Sequence, residues 1–392
     1  MKRYKLSRDN RLPATGGILA LLLPLLALWA TGCGLLRIPP NPETRTATAE
    51  PGFADAIGRS RDLLRTALRR RPGLSVAVGA GGRIVWAEGL GWASLEPRRP
   101  ATAETPFRIY SVAKCLTATL AVRLAEEGRM NLDRRIGMAL PVLPPALASL
   151  TMRELLGHVS GIRDYRSGEW VSLSRQGCRT AIEATAALRN DPLESAPGAK
   201  FSYSSFNYVL ASAVIEAQTG KPYYELLREE ILDPAGMTHT VPDDPGAERA
   251  AGTEFFEPGL LGRVRTARPV DNSCKFGAGG LLASAADLVR FGSAILAGAL
   301  VSGPQMATMM RPEVLTSGKP EDYGIGFGLV DVDGVPLAAH SGGAIGGRSY
   351  LLIDRTNGIV VALASNVEGE KLSKEAVGVW RMFLQVPKKS GR

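Results

Sequence analysis

The sequence is poor in the residues from which metal and redox sites are built. Its 392 residues include three histidines and four cysteines, and no two of the cysteines form a C-x-x-C pair. A Cys/His zinc site is therefore hard to assemble, and we expect neither a metal nor a cofactor. No G-x-G-x-x-G precedes a predicted helix and no Walker-type loop occurs, so nothing supports a nucleotide-dependent class.

The overall composition excludes several other classes. With 45% hydrophobic, 22% charged and 6% aromatic residues, the chain is neither disordered, nor collagen-like, nor a coiled coil. Its length allows two domains, or one large domain with an inserted subdomain. The formal charge is +9, but residues 1–32 contribute +4 of it and the rest is scattered, so we expect no nucleic-acid partner.

The N-terminus resembles a bacterial export signal. Five basic residues precede an uncharged run over 12–36, in which Ala30-Thr31-Gly32-Cys33 resembles a lipobox. This resemblance implies that residues 1–32 are a signal peptide and that Cys33 carries a lipid. An uncleaved membrane anchor is the alternative, because the run is long enough to span a bilayer. Both interpretations place the protein outside the cytoplasm on a membrane, with the proline-containing residues 33–53 as a flexible linker.

Residues 54–387 read as one folded unit of α/β class and α+β type. A helix is predicted over 54–70 and another over 372–384, with short strands at 74–79, 83–90, 323–332, 337–341, 349–354 and 359–364. Helices predominate between these regions. We therefore expect one antiparallel sheet built from about 54–105 and 320–387, flanked by helices, with an inserted mainly helical part over about 106–319. The active-site cleft should lie where the two parts meet.

Ser111 and Lys114 are the first candidates for chemistry. They stand three residues apart at the start of a predicted helix, so their side chains share one face. A desolvated lysine with a lowered pKa can take the serine proton and make the hydroxyl a nucleophile. Alone, S-x-x-K is a weak signal, because an N-cap serine followed by a surface lysine gives the same pattern.

Two further motifs follow in order. Tyr203 is followed two residues later by Ser205, and His340-Ser341-Gly342-Gly343 lies on a predicted strand. With these motifs, residues 55–385 resemble the penicillin-recognising serine hydrolases, which include class C β-lactamases and D-alanyl-D-alanine carboxypeptidases. Among them the chain most resembles the LACTB-like branch, through residues 203–206, 270–273 and 340–344. The resemblance implies a β-lactamase/transpeptidase-like fold.

The residue roles can be stated as a hypothesis. Ser111 attacks the substrate carbonyl, Lys114 takes its proton, and Tyr203, anionic or strongly hydrogen-bonded, relays a proton to the leaving group. The backbone N–H groups of Ser111 and Gly343 would stabilise the oxyanion. His340 would offer a partly positive donor to the substrate carboxylate or to Tyr203, beside Ser341 and Gly342.

The substrate remains open between peptide, ester and β-lactam. The resemblance to the LACTB-like branch favours peptide or ester substrates. In the family, an asparagine that helps hold the substrate amide stands where this chain has Ser205, and this departure argues against efficient β-lactam hydrolysis. A non-catalytic binding or scaffold protein of the cell envelope, on the same fold, is the contrasting hypothesis. The oligomeric state is also open.

Several residues near the motifs receive a structural interpretation. His158 is expected to cap a helix, and Cys115 to be a buried, inert thiol. Lys275 and Tyr165 could line the cleft, although a solvated loop explains them as well. If Cys33 is lipidated, three thiols remain and one disulfide at most can form. We do not expect Cys178 and Cys274 to be bonded.

Overall fold

The computed structural model describes residues 34–42, 45–169 and 177–387. Cys33 and the predicted signal peptide lie outside the described residues. Within these ranges there are fourteen strands, namely β1 Leu35–Leu36, β2 Arg45–Ala49, β3 Gly73–Ala80, β4 Arg83–Leu95, β5 Arg98–Pro100, β6 Phe107–Arg108, β7 Val241–Pro242, β8 Phe256–Pro258, β9 Val264–Thr266, β10 Leu281–Ala283, β11 Gly328–Val332, β12 Val335–Ala344, β13 Gly347–Asp354 and β14 Ile359–Ser365.

The α-helices of the described residues lie mostly between β6 and β11. They are α1 Ala54–Leu68, α2 Ala113–Glu126, α3 Pro145–Ala148, α4 Met152–Leu156, α5 Ala181–Ala184, α6 Ser205–Thr219, α7 Tyr223–Leu227, α8 Asp233–Ala235, α9 Pro245–Ala251, α10 Ala285–Leu296, α11 Gly303–Met309 and α12 Ser373–Leu384. Short 3-10 turns, including Tyr110–Val112 and Ser273–Ala278, connect some of them. No helix of the described residues combines the length and apolar character needed to cross a membrane.

One antiparallel sheet is built from both ends of the folded part, as the sequence predicts. Its order is β11-β12-β13-β14-β3-β4-β2, with β5 paired to β4, and β14 from the C-terminal region lies beside β3. The turns at Asp333-Gly334 and Thr356-Asn357-Gly358 join β11 to β12 and β13 to β14. Both contain glycines at positive φ, which residues without a Cβ adopt most readily. The expected fold class is confirmed.

Alternation along the strands gives the sheet two buried faces. On β3, Val76 and Val78 pack with α1 and α12, whereas Ala77 between them belongs to the core on the opposite side. The first core contains Leu64 and Trp380 from the two covering helices. The second core includes α10 and the inserted helical part, and the cleft lies on this side of the sheet.

The segment predicted to be a flexible linker is partly ordered in strands, which corrects that boundary. Within residues 33–53, β2 pairs with β4 at the sheet edge, and β1 pairs with β9 in a small sheet. Leu36 and Ile38 pack against a satellite apolar cluster. The proline content suggested an extended spacer, but an extended chain is also the conformation that can add to an open sheet edge.

The end of β12 is left open toward the cleft. β11 pairs only with residues 335–339 of β12, while β13 runs beside β12 as far as Ala344. Among the described residues, 340–344 therefore have a strand partner on one side only. This free edge carries the His340-Ser341-Gly342-Gly343 motif and faces the beginning of α2.

Candidate active site

Ser111 lies in a strained turn at the start of α2. The chain leaves β6 and enters the 3-10 turn Tyr110–Val112, in which Tyr110 has a φ of 47°. Left-handed backbone is costly for a residue with a Cβ and persists only where neighbouring contacts hold it. The Tyr110 hydroxyl donates to the carbonyl oxygen of Ile345, just beyond β12. The turn thus presents the partly exposed Ser111 to the open end of β12.

Lys114 is fully buried beside Ser111. Its Nζ donates to Ser111 Oγ at 3.0 Å and to the carbonyl oxygen of Ala278 at 2.7 Å, and it lies 3.5 Å from Ser205 Oγ. Burial lowers the pKa of Lys114 to about 7, with Asp164 opposing the shift and Lys275 adding to it. A substantial fraction of the amine is therefore neutral near pH 7 and able to accept the Ser111 proton.

Tyr203 approaches the same two groups but is not a phenolate. Its ring centroid lies 5.1 Å from Lys114 Nζ, and its hydroxyl shares a hydrogen bond with Ser111. Burial raises the pKa of Tyr203, and the bond to Ser111 compensates only in part. Of the two states expected from the sequence, the anionic one is therefore wrong, and the neutral, hydrogen-bonded phenol is present at neutral pH.

His340 occupies the predicted strand position, but its expected charge is wrong. The Nδ1–H donates to the backbone oxygen of Ser341 at 2.9 Å, so Nε2 accepts from the Tyr323 hydroxyl at 3.1 Å. Burial, reinforced by the charge of Lys114, lowers the pKa of His340 to about 3. The ring is therefore neutral, and both nitrogens are engaged within the protein. An unperturbed histidine would be partly charged, and the sequence does not reveal this burial.

Glycine at 342 allows β12 to lie close to the chain just before Ser111. A Cβ at Gly342 would collide with the backbone oxygen of Ile109, and one at Gly343 with the side chain of Arg348. Ser341 and His340 line a cavity of about 290 Å³ together with Tyr203 and Tyr323. Tyr203 therefore shares this cavity with His340 and Ser341, and its hydrogen bond to Ser111 connects the cavity to the serine.

Two residues at the site, Asp164 and Lys275, carried only weak signals in the sequence. Asp164 Oδ1 accepts from the Ser205 backbone N–H at 2.8 Å and so holds the start of α6, and its charge acts on Lys114. Lys275 Nζ lies 5.1 Å from the ring centroid of Tyr110 and 5.9 Å from that of Tyr165. Burial lowers the pKa of Lys275 to about 8. Asp164 belongs to no recognised motif, and the position of Lys275 depends on a fold-specific turn.

His158 is buried next to Tyr203. It has a φ of 58°, its Nδ1 accepts from the Ser204 N–H at 3.2 Å, and its ring centroid is 4.3 Å from that of Tyr203. Burial holds the pKa of His158 well below the ordinary value. The residue follows α4, where a structural role was expected, and it also packs directly against Tyr203.

The expectation of no disulfide is wrong. Cys178 and Cys274 are bonded, with their Cα atoms 4.9 Å apart although 96 residues separate them in the chain. The fold brings them together, and the spacing in the sequence gives no sign of this. Cys115 is a free, buried thiol that donates to the Gly326 carbonyl oxygen, and burial raises its pKa. It is therefore unreactive, as expected. Over the described ranges, no three His, Cys, Asp or Glu residues are grouped so that they could hold a metal ion.

The chain is similar in sequence to known proteins. The family described as Beta-lactamase matches residues 61–379. The mouse protein described as serine beta-lactamase-like protein LACTB, mitochondrial, is 27% identical over 87% of this chain and 82% of its own length. Penicillin-binding protein 4 of Amycolatopsis lactamdurans is 30% identical over 68% of this chain and 73% of its own.

Solved structures share the fold. The octameric penicillin-binding protein homologue from Pyrococcus abyssi has a TM-score of 0.73 and 26% identity, and covers 84% of this chain and 77% of its own. The D-amino acid amidase from Ochrobactrum anthropi has a TM-score of 0.71 and 23% identity, and covers 84% and 99%. The second likeness concerns the fold alone.

Proposed function

Because the chain belongs to the beta-lactamase family and is a serine hydrolase of that family, we propose that it cleaves amide or ester bonds through a covalent acyl-enzyme on Ser111. One observation carries the proposal: a buried amine with a pKa of about 7 lies 3.0 Å from the hydroxyl of a partly exposed serine. A surface lysine next to an N-cap serine would have neither this burial nor this pKa.

The acylation step follows from these contacts. Neutral Lys114 takes the Ser111 proton as Oγ attacks the substrate carbonyl carbon. The oxyanion forms near the backbone N–H groups of Ser111 and Gly343, where glycine permits close approach. Tyr203 then passes its phenolic proton to the leaving group and recovers a proton from the Lys114 ammonium.

Deacylation uses the same groups in reverse. Water replaces the leaving group, and the Lys114–Tyr203 pair removes its proton as the water oxygen attacks the acyl carbon. The tetrahedral intermediate collapses, the bond to Ser111 Oγ breaks, and Oγ regains its proton. The neutral His340 does not supply charge in this scheme. It orders the cleft wall through its bonds to Tyr323 and Ser341.

Peptides and esters are the proposed substrates, ahead of β-lactams. Ser205 places a hydroxyl 3.5 Å from Lys114 Nζ where the family's asparagine would present a longer amide. Relatives include proteins named D-aminopeptidase and penicillin-binding protein 4, and the D-amino acid amidase shares the fold. These observations agree with a substrate that is cleaved at an amide bond and whose side-chain amide is not held by an asparagine of the enzyme.

Covalent labelling tests the proposal. A fluorophosphonate probe and a fluorescent penicillin are each incubated with the wild type and with Ser111→Ala, and the labelled residue is identified by mass spectrometry. We expect fluorophosphonate on Ser111 of the wild type and no label on the variant. A folded wild type that neither probe labels would instead support a non-catalytic scaffold. A substrate panel of peptides, amides, esters and β-lactams then ranks the substrate classes.

We further propose that the protein is exported and attached to a membrane through lipidated Cys33. The basic start, the apolar run and the small residues before Cys33 support this, and the Cys178–Cys274 disulfide agrees with an oxidising compartment. Cys33→Ser should release the protein from the membrane fraction or leave the precursor uncleaved. Intact-mass analysis of the wild type that finds Met1 retained would contradict lipidation.

A further inference from the structure

The turn Ser273–Ala278 supplies Lys114 with its shortest polar contact. The Ala278 carbonyl oxygen accepts from Lys114 Nζ at 2.7 Å, compared with 3.0 Å for the contact to Ser111. Ala278 is the last residue of this turn, which lies between strands far from α2 in the chain. The conformation of the turn therefore affects where the amine lies and how dry its surroundings are.

The turn is strained at its centre. Phe276 has φ 40° and ψ −130°, outside the regions that residues with a Cβ normally occupy. Its ring stacks on that of Tyr224, with 5.4 Å between the centroids. A conformation of this kind persists only where the surroundings hold the chain in place. If one restraint is lost, we expect the backbone of the turn to relax toward an unstrained conformation.

Different restraints hold the two halves of the turn. In the C-terminal half, the Gly277 N–H donates to Ser212 Oγ at 3.1 Å, and its carbonyl accepts from Thr117 Oγ1 at 3.0 Å. In the N-terminal half, Cys274 is bonded to Cys178, which lies just before α5. Lys275, whose charge acts on Lys114, follows Cys274 directly.

We propose that the Cys178–Cys274 disulfide is a positioning element for the catalytic lysine, because it tethers the turn that keeps the Ala278 carbonyl on Lys114 and water away from the amine. This inference rests on the proposed role of Lys114 as the base. Cys178 is partly exposed, whereas Cys274 is 5% exposed, so we expect a reductant to attack Cys178 rather than Cys274.

Reduction by a dithiol such as dithiothreitol breaks the disulfide. Its thiolate attacks Cys178 Sγ, the S–S bond breaks, and Cys274 leaves as a thiolate that takes a proton. The second thiol of the reagent then displaces Cys178, and the reagent becomes a cyclic disulfide. The protein gains two electrons and two protons, which the dithiol supplies.

Release of the turn should raise the pKa of Lys114. Burial is the main cause of the low pKa of Lys114, so water admitted by a relaxed turn should raise this pKa. Movement of the Lys275 charge away from Lys114 acts in the same direction. Loss of the carbonyl acceptor acts in the opposite direction, as a smaller effect. The other titratable groups facing the amine do not belong to the turn; they are Asp164, Tyr203, Tyr208, Cys115, His158 and His340.

The test is the rate of fluorophosphonate labelling of Ser111 between pH 6 and pH 10. Purified wild type is compared before and after dithiothreitol, and with Cys178→Ser/Cys274→Ser. For a pKa raised by about one unit, we expect the reduced protein and the double variant to label about fivefold more slowly at pH 7 and nearly tenfold more slowly at pH 6, with the gap closing toward pH 10, because the neutral fraction of Lys114 falls by these factors. Dithiothreitol should not change the double variant further, which assigns its effect to this disulfide.

Two results would overturn the inference. Superimposable pH profiles would show that the tether does not act on Lys114, and an equal loss at every pH would show a purely structural role. If the double variant does not fold, reduction of the folded wild type gives the same comparison. A wild type that is not labelled at all would contradict the proposed function, which is a separate failure.

Discussion

The two faces of the large sheet are packed in different ways. The face covered by α1 and α12 is mainly apolar, with Trp86 stacked on Phe383 at a centroid distance of 6.0 Å, and its buried carboxylates, Glu88 and Asp354, accept hydrogen bonds from tryptophan rings. The opposite face leads to the cleft, where Lys114, His158 and His340 are buried next to one another. Of the five non-glycine residues with positive φ in the described ranges, Tyr110, His158 and Phe276 lie on this side.

The contrast separates stability from reactivity. Apolar burial stabilises the fold by about 25 cal/mol for each Å² removed from water, so the first face contributes stability. Buried ionisable groups and left-handed residues each cost free energy, so the second face keeps reactive groups in place at the expense of stability. Substitutions on the two faces should therefore give opposite combinations of activity and stability.

The largest effect is expected for Ser111→Ala. The change removes one partly exposed hydroxyl, so labelling and turnover should be lost while the free energy of unfolding stays within about 0.5 kcal/mol of the wild type. Turnover with the best substrate of the panel and thermal unfolding measure the two quantities. Retained turnover would assign the nucleophile elsewhere.

Lys114→Ala and Tyr203→Phe should follow in size. Each should reduce kcat/KM by several orders of magnitude, at about 1.4 kcal/mol of barrier for each tenfold loss, because each removes one member of the proton relay. The double variant should lose little beyond the worse single variant, since both groups serve one proton path. Steady-state kinetics on all three variants checks this, and additive losses would mean that the two groups act in separate steps.

Phe383→Ala should show the reverse pattern on the other face. Phe383 is 2% exposed and packs between Phe53 and Trp86, so truncation leaves a cavity and should cost about 3 to 5 kcal/mol of stability. Well below the unfolding midpoint, kcat/KM should remain within about twofold of the wild type. Denaturant unfolding and kinetics on one preparation measure both. A large loss of kcat/KM in the still-folded variant would show that the faces are coupled.

The features that could be predicted from the sequence are those that depend on local patterns of residues. Helices α1 and α12 and the strands of the large sheet were predicted because apolar periodicity is a local signal. Ser111, Lys114, Tyr203 and the 340–343 motif were predicted from their order and residue types. Their convergence is seen in the contacts that Lys114 and Tyr203 make to Ser111.

The features that were missed depend on contacts between distant segments. The Cys178–Cys274 bond joins residues 96 positions apart, and the pairing of β2 with β4 uses a segment whose prolines suggested a spacer. The predicted charge of His340 was wrong because burial lowers its pKa, and burial is a property of the assembled fold. Asp164 acts through space on Lys114 and belongs to no motif.

The smallest expected effect concerns His340 and the pH profile. With a Lys114 pKa of about 7, kcat/KM for a neutral ester should fall about tenfold for each unit below that pH, since only the neutral amine accepts the Ser111 proton. Because the pKa of His340 is about 3, its ring is already neutral throughout this range and should add no limb of its own. His340→Asn should therefore leave the midpoint of the wild-type limb within a few tenths of a unit, even if it lowers the plateau by disturbing the bond to Tyr323. Tyr203→Phe is the comparison variant. A midpoint displaced by a full pH unit in His340→Asn would contradict this prediction and indicate that His340 is charged.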